Sequence, residues 1–386
     1  MEKKVIKKSD WVSNFTLIGK PVINDYTFKI NEKSEKSNWV YNSLNLGVDC
    51  GENHGTVYAE MMGGYSEENE NRIYAHGKKD DGSDNFEEQV IVAWEDRFND
   101  NVLEDVGDLS FITIGLEKTN ADKTFYQKFL SAYDAIAYIK EHLTEDMVIN
   151  VRGNLKYSVY NDVVQVRKNI TSIALSKAED ASKYKATFTQ SVLLDKDSAS
   201  LKPENIDKDK GVMFVNARIL DYVKEMDGIE VKGQYPFNKR FEFALNLENE
   251  KQCKTVYEKL FKVKKNVTQV TFEGDFVEGG AVVTASWDDI PDEIKDLVDI
   301  GVYTKEEALA KCTANGSRER RMVLKKPMIK LVGDDKVTVV QKFENKFTED
   351  DLYLDYLYKN KENNDESSDE NEEASSGDSM AWLNDI

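Results

Sequence analysis

The hydrophobic and polar positions of this chain alternate in short runs, and helical spacing interrupts them at two places before residue 287. Apolar residues recur every three or four positions at 125–143 and again at 253–261, which is the spacing of an amphipathic helix. Short runs rich in aromatic and β-branched residues lie before and after each stretch. The pattern predicts a mainly β protein with helices, of the α+β class, whose two halves follow the same order.

Turn residues mark the limits of the predicted strands. In the first half, the predicted strands lie at 11–18, 25–30, 88–94, 109–116, 147–157 and 163–175. In the second half, they lie at 184–194, 212–220, 241–247, 266–273 and 281–287. The segment 63–84 carries glycine, charge and little apolar sequence, which predicts a long loop.

A glycine lies in or beside the strand that follows each predicted helix, Gly153 in the first half and Gly274 in the second. A glycine at this place suits a strongly bent strand of a small closed barrel. Three strands, a helix and two more strands is the order of the OB-fold, a five-stranded barrel that binds oligonucleotides. We therefore predict two tandem OB-like barrels, with a pair of unrelated α+β domains as the alternative.

Beyond residue 287 the pattern changes to a helical pair, one strand and a short helix. These elements are expected at 290–300, 305–314, 336–343 and 349–358. The predicted domains are a first OB-like barrel at 1–178 with an inserted loop at 63–84, a second barrel at 179–287, a helical and strand appendage at 288–361 and a disordered acidic tail at 362–386.

The sharpest local signal is a hairpin that turns at Asn161 and Asp162. Counting back from the turn pairs Tyr160 with Val163, Ser158 with Gln165, Lys156 with Arg167, Asn154 with Asn169 and Arg152 with Thr171. Like charges directly opposite each other destabilise a sheet, so Lys156 facing Arg167 suggests that an anion binds there. The alternative is a solvated outer face on which the two long side chains splay apart. Tyr157 points to the opposite face and reaches a ligand only if the strand twists or bulges.

Aromatic and basic residues also lie close together elsewhere, and stacking rings beside a basic groove hold single strands without sequence preference. The alternative for each ring is packing in the core. The candidate nucleic-acid-binding residues are Arg152, Lys156, Tyr157, Tyr160, Arg167, Trp39, Tyr41, Trp94, Tyr235, Phe237, Lys239 and Arg240. Basic clusters at 3–8, 259–265 and 318–330 add cations to a chain that is otherwise acidic.

The chain has 386 residues and a formal net charge of −20, which counts against coating duplex DNA by bulk charge. After Lys361 the sequence is acidic, contains no base and is rich in Ser and Asn, which predicts disorder. Trp382, Leu383 and Ile386 give this tail an apolar tip. The tip is typical of an anchor for a protein partner, and a solubilising tail with an incidental tryptophan is the alternative.

Motifs for catalysis are missing from the sequence: it contains no phosphate-binding loop, no nucleophile elbow and no HExxH. Cys50 and His54 lack a second pair of ligands at zinc spacing. We expect no catalytic residue, no metal and no cofactor. Three widely spaced cysteines indicate a reducing compartment, and no stretch has transmembrane length. A soluble cytoplasmic protein without a signal peptide is therefore predicted.

An acidic tail with an apolar tip, downstream of OB-like element order, resembles the single-stranded DNA-binding proteins of bacteria and especially of their phages. The resemblance implies a protein of DNA replication and recombination that protects unpaired DNA in the host cytoplasm. It also implies that Trp382 and its neighbours recruit polymerases, helicases or recombinases. The terminal Pro-Phe of the bacterial family is missing here, which leaves the identity of the partner open.

Two other functions remain open on the sequence: a virion or scaffold structural protein, and a metal-dependent nuclease. The first is expected to form large homo-oligomers that ignore oligonucleotides, and the second to degrade its substrate when Mg²⁺ is present. The sequence also leaves open whether a DNA-binding chain forms a homo-oligomer, and whether it prefers DNA to RNA.

Overall fold

The computed structural model describes residues 10–35, 37–161, 163–178, 180–226, 228–278, 320–332 and 337–352, together with 282–283, 295, 298, 304–305 and 314–315. The first half contains β1 (Ser13–Val22), β2 (Phe28–Lys33), β3 (Trp39–Asp49), β4 (Thr56–Ser66), β5 (Arg72–Lys78), β6 (Asp84–Ala93), β7 (Ile112–Lys118), β8 (Thr124–Phe129), β9 (Ile149–Tyr160) and β10 (Val163–Leu175). The second half contains β11 (Lys185–Leu194), β12 (Ile206–Asp207), β13 (Val212–Met226), β14 (Ile229–Ala244), β15 (Val267–Glu278), β16 (Val282–Val283), β17 (Ala314–Asn315), β18 (Arg320–Pro327), β19 (Ile329–Val332), β20 (Val337–Val340) and β21 (Lys342–Phe347). The α-helices whose bounds the structure describes are α1 (Asp100–Leu103), α2 (Ala132–His142), α3 (Glu250–Val256) and α4 (Glu349–Leu352).

Five strands of the first half close a barrel. Strand β1 pairs with β3 and β9, β3 pairs with β4, and β9 pairs with β10, all antiparallel. A parallel pairing of β10 with β4 completes the ring. Helix α2 lies between β4 and β9 in the chain, so the element order is that of the OB-fold.

The second half repeats this arrangement strand for strand. Strand β11 pairs with β13 and β15, β13 pairs with β14, and β15 pairs with β18, again antiparallel. A parallel pairing of β14 with β18 completes the second ring, and α3 lies between β14 and β15. The predicted fold class, mainly β with helices and OB-like barrels, is confirmed.

The first strands of the two barrels pair with each other, and this ladder joins the barrels. Phe15 of β1 faces Phe188 of β11, and both side chains are buried. Each phenylalanine also faces a glycine on its other side, Gly153 or Gly274. A Cβ at Gly153 would lie 1.9 Å from the Asn169 oxygen, and one at Gly274 would lie 2.4 Å from the Phe188 ring. Both positions therefore require glycine because of close packing.

Three further contacts hold the barrels together. The Lys168 ammonium of β10 lies 2.6 Å from the Glu278 carboxylate of β15, and both side chains are buried. Asp221 of β13 accepts hydrogen bonds from the Tyr157 amide at 2.9 Å and from Lys156 at 3.2 Å. The amide of Glu278 donates to the carbonyl oxygen of His54 at 2.9 Å. One hydrophobic core runs through both barrels.

The structure corrects the prediction of a loop at 63–84. Strand β4 continues to Ser66, and β5 and β6 form an antiparallel hairpin within and beyond this segment. Ala75 and Val92 of the hairpin pack against Val106 in a small separate cluster. The alternation of apolar residues in β5 is short and lies between charged turns. For this reason the sequence pattern indicates a loop and not a strand.

The first predicted helix is shorter than its apolar spacing suggests. Residues Thr124–Phe129 form β8, and α2 begins at Ala132. The Ser131 hydroxyl caps the helix by accepting a hydrogen bond from the Tyr133 amide at 3.1 Å. Buried Ile136 and Ile139 then face the core as predicted.

The strand that closes the second barrel lies where the sequence predicts an appendage. Strand β18 begins at Arg320, and its Leu324 is fully buried in the shared core. The predicted helices at 290–300 and 305–314 fall almost wholly outside the described residues, as does the tail from 362. None of the helices that the structure describes is both long enough and apolar enough to cross a membrane.

Candidate nucleic-acid interface

The predicted hairpin is formed by β9 and β10, with Asn161 in the left-handed region at φ 48°. The observed register pairs Tyr160 with Val163, Ser158 with Gln165, Lys156 with Arg167 and Asn154 with Asn169, as predicted. Arg152 faces Ser172 instead of Thr171, because β10 bulges between Ile170 and Ser172. The polar face is directed outward, and Arg152, Asn154 and Lys156 are exposed on it.

The two facing cations of the hairpin each have a carboxylate nearby. Lys156 forms an ion pair with Asp221 at 3.2 Å, and the Arg167 guanidinium lies 3.8 Å from Glu60. These carboxylates offset the repulsion between Lys156 and Arg167 without a bound anion. The facing cations therefore do not by themselves indicate an anion site.

Tyr157 and Phe237 are core residues, which corrects their prediction as stacking residues. Tyr157 is 4% exposed, and its hydroxyl donates to the Gln190 side chain at 2.9 Å. Burial raises the pKa of Tyr157, and the nearby Asp221 adds to this effect. Phe237 is 1% exposed and packs edge-on against the half-buried ring of Tyr235 at 4.9 Å. Neither buried ring can reach a base.

Tyr160 remains at the surface near the hairpin turn, where it is 38% exposed and faces Val163 on the neighbouring strand. The exposed ring is compatible with the predicted stacking role.

The aromatic residues of the first barrel lie among carboxylates. Trp39 and Tyr41 are half-buried on β3, and Tyr41 faces Glu32 of β2. Burial raises the pKa of Tyr41, and Glu32 raises it further. Glu60 also lies on the outer face of this barrel, so β3 and β4 do not form a basic groove.

Trp94 packs inside an aromatic cluster of the protein itself. Its ring centroid lies 5.3 Å from that of Tyr65 and 6.0 Å from that of Tyr133. The Arg97 guanidinium lies 4.2 Å from the Trp94 ring and is bound by Asp134. One part of the half-buried Trp94 ring is therefore used in packing, and its predicted stacking role stays a prediction.

The second barrel carries a basic and aromatic cavity on the outer side of β13, β14 and β18. Arg240 lies with its guanidinium carbon 3.6 Å from the ring centroid of Phe214. Arg320 and Arg321 line the same cavity, which has a volume of about 230 Å³, and we call it the front cavity. The Nε of Arg321 donates to Glu242 at 2.8 Å, which fixes the orientation of its guanidinium.

Lys239 also lines the front cavity, next to Arg240. Burial lowers the pKa of Lys239, and the charge of Lys168 lowers it further. Lys239 pairs with buried Ala217 and Arg240 pairs with exposed Asn216, so their side chains leave β14 on opposite faces. Of these two predicted residues, Arg240 is the one that covers Phe214. Phe214 and Arg321 were missed as individual candidates, although Arg321 belongs to the basic cluster at 318–330.

Arg152 lies at a different place, in a larger cavity of about 550 Å³ on the first barrel. We call this the rear cavity; it shares no lining residue with the front cavity. Its charged and aromatic lining consists of Arg152, Lys177, Lys183, Lys185 and Tyr126. The predicted residues Arg152 and Arg240 therefore line two separate cavities.

Cys50 and His54 have structural roles between the barrels. The Cys50 thiol is buried, and burial raises its pKa to about 12. The Nδ1 of His54 lies 2.9 Å from the Phe276 carbonyl oxygen. Within the described residues, no group of three or more metal-binding side chains occurs. Trp382, Leu383 and Ile386 lie outside the described residues, so their predicted role as a partner anchor stays a prediction.

No known family model matches the chain, and no curated protein matches it. The solved structures that are similar include the wild-type single-stranded DNA binding protein from Thermus aquaticus and a deletion mutant of that protein. The wild-type protein is 10% identical, with a TM-score of 0.31 over 70% of this chain and 87% of that one. The deletion mutant has the same identity and TM-score over 69% of this chain and 87% of that one. With so low a score, the fold assignment rests on the strand pairings described above.

Proposed function

We propose that this chain binds single-stranded DNA without sequence preference. The observation that carries the proposal is the front cavity, in which Arg240 covers Phe214 beside Arg320 and Arg321. This cavity lies on the second and third strands of an OB-like barrel, the face on which OB-folds bind oligonucleotides. It combines stacking surfaces with cations, as single-strand binding requires.

A single strand fits this site better than a duplex. The bases of a single strand are free to stack on an aromatic ring or on an arginine guanidinium plane. A duplex presents mainly phosphates, and the net charge of −20 disfavours the extended phosphate contact that duplex binding needs. The few clustered cations of the front cavity are sufficient for a local backbone contact.

The parts of the front cavity have separate roles in this proposal. Arg321, held by Glu242, and the exposed Arg320 bind backbone phosphates. Phe214 and the guanidinium stacked on it provide the surface for a base. Tyr160 at the hairpin turn gives the first barrel an exposed ring for a further base.

The proposal extends to the role of the protein in the cell. It assigns the chain to replication or recombination of phage DNA in the host cytoplasm, with no catalytic step. Trp382, Leu383 and Ile386 recruit replication or recombination proteins, because a tryptophan at the end of an acidic segment is a strong interface anchor.

A titration of the purified chain with fluorescent poly(dT), duplex DNA and RNA at two salt concentrations tests the proposal. We expect tight binding of poly(dT), weak binding of the duplex and a steep loss of affinity as salt rises. Comparison of RNA with poly(dT) shows whether the chain prefers DNA. A chain that binds none of the three would contradict the proposal and favour a virion or scaffold structural protein.

A further inference from the structure

The rear cavity is built by the first barrel and the start of the second. Arg152 of β9 and Lys185 of β11 line it from either side of β1, with Ile18 between them. Lys177 and Lys183 line it from the segment that links the barrels. Four cations thus surround a cavity of about 550 Å³, and among the described residues that line it there is no carboxylate.

Three of the four cations in the rear cavity form no ion pair within the described residues. These three are Arg152, Lys177 and Lys185. Lys183 lies 3.9 Å from Asp180, whose carboxylate also accepts hydrogen bonds from Ser182. Like charges that lie close together repel each other, so the binding of an anion in this cavity is favourable.

Two further groups indicate that the anion carries a base. The Tyr126 ring lines the cavity and is 53% exposed, so one of its faces is accessible for stacking. The side-chain oxygen of Asn150 is buried in the lining without a hydrogen-bond partner. A bare phosphate ion does not stack on a ring and needs no hydrogen-bond acceptor. The base of a nucleotide can stack on the ring and donate a hydrogen bond to the acceptor.

A continuous sheet connects the two cavities on one side. Phe15 and Phe188 face each other and point into the core, so their neighbours Thr16 and Thr187 both lie on the outer side. From β11 the sheet continues through β15 to β18, which lines the front cavity. On this route the acidic Glu273 of β15 is paired with Lys326 at 3.0 Å.

We infer that the rear cavity binds a second segment of the same single strand, so that one chain covers more nucleotides than the front cavity alone can hold. The inference rests on the proposed function. It gives the first barrel a binding site on β1 and β9, away from the β3 and β4 face where Glu32 and Glu60 lie.

The double variant Arg152→Ala/Lys185→Ala tests the inference, with Lys208→Ala/Lys251→Ala as the matched control. All four side chains are exposed, and the control residues line neither cavity. Tryptophan quenching by poly(dT) under tight-binding conditions gives the number of nucleotides covered per chain. A salt titration gives the slope of log affinity against log salt. Thermal unfolding with inorganic phosphate, at constant ionic strength, is the third readout.

For the cavity variant we expect fewer nucleotides per chain and a slope shallower by about 0.7 for each lost phosphate contact. The control variant should cover as many nucleotides per chain as the wild type and have the same salt slope. If the cavity variant covers as many nucleotides as the wild type and has the same salt slope, the inference is overturned. Stabilisation by phosphate that the cavity variant loses, together with an unchanged site size and slope, would assign the cavity to free phosphate instead of DNA. A wild-type chain that does not bind poly(dT) contradicts the proposed function itself. This result distinguishes failure of the proposed function from failure of the rear-cavity inference.

Discussion

At the scale of single residues, the proposed DNA binding depends on the contact between Arg240 and Phe214. The guanidinium carbon lies 3.6 Å from the ring centroid, although Arg240 itself is exposed. A stacked guanidinium keeps its edge N–H groups available, so it can bind a phosphate while it covers the ring. The pair therefore offers both charge and a flat surface at one place.

We expect Arg240→Gln to weaken poly(dT) binding and to make the salt slope shallower by about 0.7, the effect of one phosphate contact. The free energy of unfolding should change by less than about 0.5 kcal/mol, because the residue is exposed. Fluorescence titrations at several salt concentrations and a urea melt measure both. The control is Lys251→Gln, which removes a positive charge on α3. An equal loss of poly(dT) affinity in this control would show that Arg240 has no specific role.

The sequence predicts single residues well only where local pattern determines them. The register of Lys156 and Arg167 follows from the turn and the alternation, and it is confirmed. The bulge beside Ser172 that shifts Arg152 has no signal in the sequence. Phe214 could have been found, because its strand position is out of phase with buried Met213 and Val215.

At the scale of elements, the two glycines opposite Phe15 and Phe188 allow the barrel strands to approach closely. We expect Gly153→Ala and Gly274→Ala each to destabilise the protein by about 1–3 kcal/mol, the range for overpacking a core. The new methyl group would lie within 3 Å of backbone and ring atoms at both positions. Urea unfolding measures the loss.

Gly233→Ala is the control for this prediction. The nearest atom to its new Cβ would be 3.6 Å away, an ordinary contact. It should leave stability almost unchanged. A destabilisation equal to that of Gly153→Ala would show that close approach is not the reason for the glycines.

Element order was predictable from sequence, but barrel closure was not. Alternation and turn residues indicate β9, β10 and the helices, since these signals are local. The closing strand β18 is separated from β15 by residues 279–319, and no local pattern states which strand pairs across such a distance. The hairpin of β5 and β6 was missed for a different reason, because charged turns dominate its composition.

At the scale of the whole molecule, a buried ion pair connects the barrels. Lys168 and Glu278 lie 2.6 Å apart with side chains 10% and 5% exposed. We expect Lys168→Met to destabilise the protein by about 3–5 kcal/mol, because it leaves a buried carboxylate unpaired. The double variant Lys168→Met/Glu278→Leu should recover most of this loss in the same urea melt. A double variant that is as unstable as the single one would mean that packing, and not charge, dominates at this contact.

The acidic tail gives a second prediction at this scale. It is a polyanion that can compete with DNA for the cationic cavities of the same chain. Deletion of residues 362–386 should therefore tighten poly(dT) binding at low salt and abolish recruitment of protein partners. Equal affinity of the full-length and truncated chains at low salt would exclude the competition.

Ultraviolet cross-linking of oligo(dT) to the full-length chain, followed by identification of the modified peptides, tests the central claim most directly. The account predicts cross-links to peptides that contain Phe214 and Arg240, on the outer side of β13 and β14. These cross-links should decrease when Phe214 is replaced by Leu. Cross-links that avoid β13, β14 and β18 altogether would contradict the assignment of the front cavity as the binding site.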